Sequence, residues 1–163
     1  MLGHDYTRRH NEVLRCIHLL LANKYGFKKS NKLRTHSVQE FMENERAESR
    51  VDTRIRTNIL VKNNRPNIFI YDKKENEILL VEVGITSQDN LQVVETEKKR
   101  KYNILCNGLS LLYKAKTKII PYVMTWDGVV TKYHSNYLKK LNMTSTIEAY
   151  IQSTVLKKTL ETI

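Results

Sequence analysis

Glycine and proline are scarce in this chain, at five and two residues out of 163, and no low-complexity tract or internal repeat is present. That composition excludes linker-rich, collagen-like and solenoid organisations. Cysteine is scarcer relative to what it would need to do. Cys16 and Cys106 stand far apart with no partner at metal-ligand spacing, so neither a zinc knuckle nor a disulfide framework is indicated. Reduced core thiols in an intracellular protein are the expectation. Long apolar runs are also missing, since stretches such as CIHLLLA at residues 16–22 fall far below the roughly 20 residues of a membrane span. With no signal-peptide pattern at the start, a protein without membrane segments is expected. Acidic residues are the minority charge, 17 against 28 Lys and Arg, which leaves a formal net charge of +11. Such an excess points to a polyanionic partner, nucleic acid first and an anionic membrane surface second.

A length of 163 residues suits one domain. Apolar residues Val13, Leu14, Ile17, Leu20 and Leu21 recur at helical spacing over residues 11–25, and Gly26 follows as a C-terminal cap. A second helix, to about residue 48, is expected from SVQE, in which Ser37 and Glu40 form a capping box. Three strands are then expected in VDTRIRTNILV, RPNIFIYD and NEILLVEVGI, separated by Asn- and Lys-rich turns. Leu91, Val94, Tyr102, Leu105, Leu109 and Leu112 define one face of a long helix, and Lys98 occupies the missing place in that stripe. KIIPYVMTW reads as a further strand, with Pro121 favouring an outer position or a bulge, and Asp127-Gly128 as a turn. Helical patches around residues 133–141 and 146–160 close the chain, with Thr144 or Ser145 available as a cap. They could cover the sheet or form an interface. The expected fold class is α/β, a mixed central sheet of about four to five strands flanked by helices. Its parts are a helical N-terminal region (about 10–48), an αβ core (about 50–130) and C-terminal helices (about 131–163).

The chemistry lies in RPNIFIYDKKENEILLVEVG. Strand alternation puts Glu82 on the face of Leu80 and Ile78, where an unpaired carboxylate is costly. A metal ion or a lysine would both compensate it. Lys98 projects from the inward stripe of the following helix, and position 67, just after Pro66, could stand beside Glu82 on the neighbouring strand. Two oxygen ligands and a lysine would suit a hard divalent cation, although position 67 is an asparagine.

These residues resemble the PD-(D/E)xK nuclease superfamily, and within it the restriction-like endonuclease domain of site-specific non-LTR (LINE-type) retrotransposons. The similar blocks are YTRRHNEVLRCIHLLLANKYG, RVDTRIRTN with RPNIFIYDKKENEILLVEVGIT, ETEKKRKY, and KIIPYVMTWDGVV, covering most of residues 6–130. The resemblance implies a restriction-endonuclease-like fold and a Mg²⁺- or Mn²⁺-dependent enzyme. Its task would be to nick double-stranded DNA so that an attached reverse transcriptase primes from the freed end. It puts Asn67 at the family's aspartate, Glu82 at its second acid, and Lys98 at a lysine displaced onto the following helix, because Gly84 stands two residues after Glu82. Asn58 falls where relatives often carry an acid, and Glu45 or Glu48 is an accessory-ligand candidate. Lys28, Lys29, Lys32, Arg34, Lys99, Arg100 and Lys101 are expected to contact phosphates. No Cys/His knuckle or reverse transcriptase is present in the sequence, so it resembles an excised C-terminal domain of a nuclear retroelement protein. KKRK at residues 98–101 matches a nuclear-import signal. His4, His10 and His18 lack ligand spacing, so capping or core roles are expected for them. Asn67 removes a charge from the implied metal site, by natural degeneration or deliberate replacement. The competing expectation is a nuclease fold kept only to bind nucleic acid. A protein-interaction or oligomerisation module is a third.

Overall fold

A computed structural model describes residues 2–161, and side chains from Tyr6 onward. Helix α1 (Leu2–Lys24) is followed by strands β1 (Phe41–Glu43), β2 (Ala47–Val51), β3 (Ile68–Asp72) and β4 (Glu77–Thr86). Helices α2 (Leu91–Lys101) and α3 (Asn103–Tyr113) lead to β5 (Lys116–Thr125), and α4 (His134–Leu141) and α5 (Ser145–Glu161) complete the chain. The fold is α/β. Its one five-stranded sheet runs β1-β2-β3-β4-β5, antiparallel through β4 and parallel between β4 and β5. Pro121 sits in β5 at the edge of the sheet, where its missing N–H breaks no outer ladder.

Alternation along β4 divides the protein into layers. Leu79, Val81, Val83 and Ile85 meet Val13, Ile17 and Leu21 of α1 and Tyr137, Leu141, Ile151 and Val155 of the C-terminal helices. Ile78 and Leu80 face the other way, against Tyr102, Leu105 and Leu109. The C-terminal helices therefore cover the sheet. Cys16 and Cys106 are buried free thiols, the latter raised to about 12 by burial. Among the described residues no helix is long and apolar enough to cross a membrane.

Three sequence expectations require correction. The segment after Ser37 is a β-hairpin, not a helix to residue 48: the Asn44 side chain accepts from the backbone N–H groups of Arg46 and Ala47 and closes the turn between β1 and β2. An asparagine that satisfies its own turn outcompetes a capping box that has no amphipathic face behind it. VDTRIRTNILV contributes only its first residue to a strand. Asp52 takes a left-handed φ of 49°, and beyond it the chain leaves the sheet as an irregular arm. Ile55 and Val61 of this arm are buried against the α3 layer. The long helix of residues 91–112 is two helices that part at Tyr102 (φ −107°, ψ 12°), whose ring is buried and whose hydroxyl donates to Arg65 O at 3.1 Å. Leu112, assigned to the inward stripe, is 41% exposed.

Candidate active site

The register of β3 and β4 builds the centre of the site. Ile68 pairs with Val81, so the next residue outward, Asn67, stands across from Glu82, and Asn67 Oδ1 accepts from Val83 N–H at 2.8 Å. The register of β2 and β3 continues the row, because Asp52 N–H donates to Asn67 O at 3.1 Å and Asn67 Nδ2 donates to Asp52 Oδ1 at 3.3 Å. Asp52 just past β2, Asn67 just before β3 and Glu82 within β4 thus stand in one row. From the opposite layer, His10 in the third turn of α1 reaches Asn67 Oδ1 with Nε2 at 3.2 Å.

Glu82 is 5% exposed, and among the described residues its Oε2 has no hydrogen-bond partner. Lys98 Nζ lies 3.9 Å from the other oxygen, Oε1, at the outer limit of an ion pair. Burial raises the Glu82 pKa above its ordinary value, against the opposing pull of Lys98, the Tyr102 hydroxyl, Lys101 and His10. Burial lowers that of Lys98, with Glu82 opposing and Lys101 reinforcing. Each member therefore makes the other's charge tolerable.

Gly84 explains how a helix lysine arrives here. A Cβ at Gly84 would meet Lys98 Cε at 2.7 Å and Cδ at 3.1 Å, so the lysine stem lies across the bare backbone two residues beyond Glu82 on the same strand face. A side chain at position 84 and the Lys98 stem would compete for one space.

The expected site residues divide. Lys98 meets Glu82, and Asn67 stands across from Glu82 just before the neighbouring strand. Glu48 does not join them: it is on β2 opposite Tyr71, four residues along from Asn67 and so about 13 Å away, and it pairs with Arg50 at 2.8 Å. Glu45 is exposed in the hairpin turn and Asn58 in the arm. Lys99, Arg100 and Lys101 are exposed at the end of α2, close to the site. Lys29, Lys32 and Arg34 are exposed on the loop after α1, in the other layer, while Lys28 is drawn in to His36 Nδ1 at 3.0 Å. The two basic groups therefore stand on elements of opposite layers of the sheet. His18 is a core residue as expected, bonded to His36 at 2.7 Å, but His10 belongs to the site and not to a cap. The His4 side chain lies outside the described residues. His10, Asp52 and Tyr102 were missed; the one local signal was Asp52, an acid ending a strand one row from Asn67.

Asp52, Asn67 and Glu82 offer oxygens, the type that Mg²⁺ or Mn²⁺ takes, and among the described residues Glu82 Oε2 has no partner of its own. The number falls short. Asn67 contributes a neutral oxygen already engaged by two donors, Asp52 is exposed, and among the described residues no group of three or more His, Cys, Asp or Glu is gathered to hold a metal ion. With Asn67 in place, the residues present do not fit a complete divalent-cation centre.

What stands defined is an α/β protein with a mixed five-stranded sheet and a carboxylate, an amide and a lysine converging at its middle strands. No protein-family model matches the chain, and no curated protein sequence matches it.

Proposed function

We propose that this chain is the endonuclease-type domain of a LINE-like retroelement protein, built to bind double-stranded DNA and nick it for target-primed reverse transcription. The asparagine at position 67 disables it. The observation carrying this reading is that Asn67 stands across from Glu82 in the β3–β4 register while Lys98 reaches Glu82 with its stem over Gly84, and among the described residues the buried Glu82 Oε2 has no partner. The order proline, position 67, Glu82 and a lysine beside it is the resemblance drawn from the sequence. In the active form an aspartate at 67 and Glu82 would hold Mg²⁺ or Mn²⁺, which supplies Lewis-acid assistance to phosphodiester hydrolysis. Lys98 and the exposed Lys99, Arg100 and Lys101 supply positive charge for the DNA backbone. A reverse transcriptase in the parent protein and a nuclear site of action belong to the same reading.

Asn67→Asp tests it. The substitution replaces an amide N–H that donates to Asp52 by a second carboxylate oxygen at about the same 3.3 Å, a contact that repels unless a proton or cation intervenes. Asn67→Asp should therefore lose thermal stability in chelator and regain it with Mg²⁺ or Mn²⁺, and should convert supercoiled plasmid to nicked or linear product only with the metal. The chain itself should do neither. If Asn67→Asp binds DNA but shows no metal-dependent stability and no cleavage, the fold serves as a nucleic-acid-binding module.

A further inference from the structure

We infer that the arm between β2 and β3 is a DNA wedge, with Ile59 and Leu60 at its tip entering the base stack of a duplex held against the site. The inference rests on the nucleic-acid reading above and adds a contact that distorts the DNA. Residues 53–65 contain Arg54, Arg56, Lys62 and Arg65 and no acid, and all four cations are exposed. Between them the chain raises two aliphatic side chains into solvent, Ile59 at 67% and Leu60 at 97% exposure. Neither contributes to the core.

The arm is nevertheless anchored. Ile55 and Val61, on either side of the tip, are buried with Tyr102 and Leu105, and Ile55 N–H donates to Asn64 O at 2.7 Å. Thr57 rests on Gly108 of α3, where an added Cβ would come within 3.3 Å of it, and its hydroxyl donates to Ile59 O at 2.6 Å. Such fastening holds the tip in a set position, so inserting it loses little conformational freedom.

Both ends of the arm are the site. Asp52 and Asn67 close its base, and Arg65 O takes the Tyr102 hydroxyl. Leu60 is seven residues from Asn67, an extended reach of at most about 24 Å, or about seven base pairs at 3.4 Å each. A duplex at Glu82 is therefore within range of the tip. Charge decides the occupant. A second copy would bring another +11 and the same four cations against this arm, whereas a phosphate backbone complements them. Aliphatic side chains flanked by cations match what kinking a duplex requires, an apolar wedge at a base step and positive charge on the adjoining phosphates. The exposed Ile104 and Leu111 flank Gly108 on α3, so self-association through this apolar surface is the competitor the experiment must exclude.

The experiment uses the full chain and an I59A/L60A variant, with a fluorescent adenine analogue placed in turn at each position of a duplex. Affinity is read by anisotropy over a salt series and association state by sedimentation. Binding by the unaltered chain should raise the analogue's emission at one or two positions by roughly twofold or more, as unstacking does. I59A/L60A should abolish the rise while keeping the same salt slope, because the cations remain. No rise on binding, or a rise that survives I59A/L60A, overturns the wedge. A dimer that I59A/L60A converts to monomer with the emission response intact overturns it in favour of self-association. Failure of the unaltered chain to bind duplex DNA at all sinks the nucleic-acid reading as well, whereas binding without unstacking sinks the wedge alone.

Discussion

Replacing Lys98 by methionine keeps the length of the stem over Gly84 and removes only the charge facing Glu82. The ammonium lies 3.9 Å from Glu82 Oε1, a separation at which a pair in a medium of effective dielectric near 20 gains about 4 kcal/mol. Part of that is offset because burial disfavours the lysine's own charge, and its side chain is still 20% exposed. A net loss of about 2 kcal/mol near pH 8 follows, or about 4–8 °C in Tm for a domain of this size. The pH dependence has a definite sign. The Glu82 carboxyl is held above its ordinary 4.5, so its contribution to stability is complete below 4.5 and is lost as pH rises through the folded value. Lys98→Met raises that value further, so the penalty should be largest near pH 8 and shrink toward pH 5. Urea unfolding of the unaltered chain, K98M, E82Q and the double variant at those two pH values gives the coupling. E82Q alone should cost little, since it removes a buried charge, and the double variant should be more stable than the sum of the single effects by about 1–2 kcal/mol. A K98M penalty under about 0.5 kcal/mol, or one that does not change with pH, would refute the pairing and leave Lys98 as a lysine reaching solvent.

Three further outcomes follow from the same packing. Gly84→Ala puts a methyl where Lys98 Cε and Val123 Cγ2 crowd it, at 2.7 and 3.2 Å, and should cost about 1–3 kcal/mol in urea unfolding; no loss would show that the stem is easily moved. The pair His18 and His36, bridged at 2.7 Å and backed by Lys28, is held neutral, with burial bringing His18 from 6.5 to about 4. Because the unfolded chain binds protons first, stability should fall as pH drops from about 6.5 toward 4, by roughly 3 kcal/mol from His18, and His18→Phe should flatten that acid limb. Glu148 is buried beneath Tyr122, His134 and Gln152, with His134 Nε2 at 2.8 Å and Gln152 Nε2 at 3.2 Å, so Glu148→Ala should cost about 3–5 kcal/mol by differential scanning calorimetry. A loss under about 1 kcal/mol would mean that this network is not held together by the carboxylate.

Local pattern carried much of the architecture. Helical spacing marked α1, period-two alternation put Glu82 on the face of Ile78 and Leu80, and Pro121 announced an edge strand, because each depends on a residue and its near neighbours. The inward place of Lys98 was legible for the same reason. Tertiary structure decided the rest. Whether residues 41–51 became a helix or a hairpin depended on Asn44 closing a turn and on a β3 edge for β2 to pair with. The opposition of Asn67 to Glu82 is a matter of register across a turn, Asp52 joins the row through a second register, and His10 arrives from a helix 57 positions away. No sequence period encodes which strands lie side by side or which helix end overhangs them; burial of both sheet faces selects that arrangement for the chain as a whole.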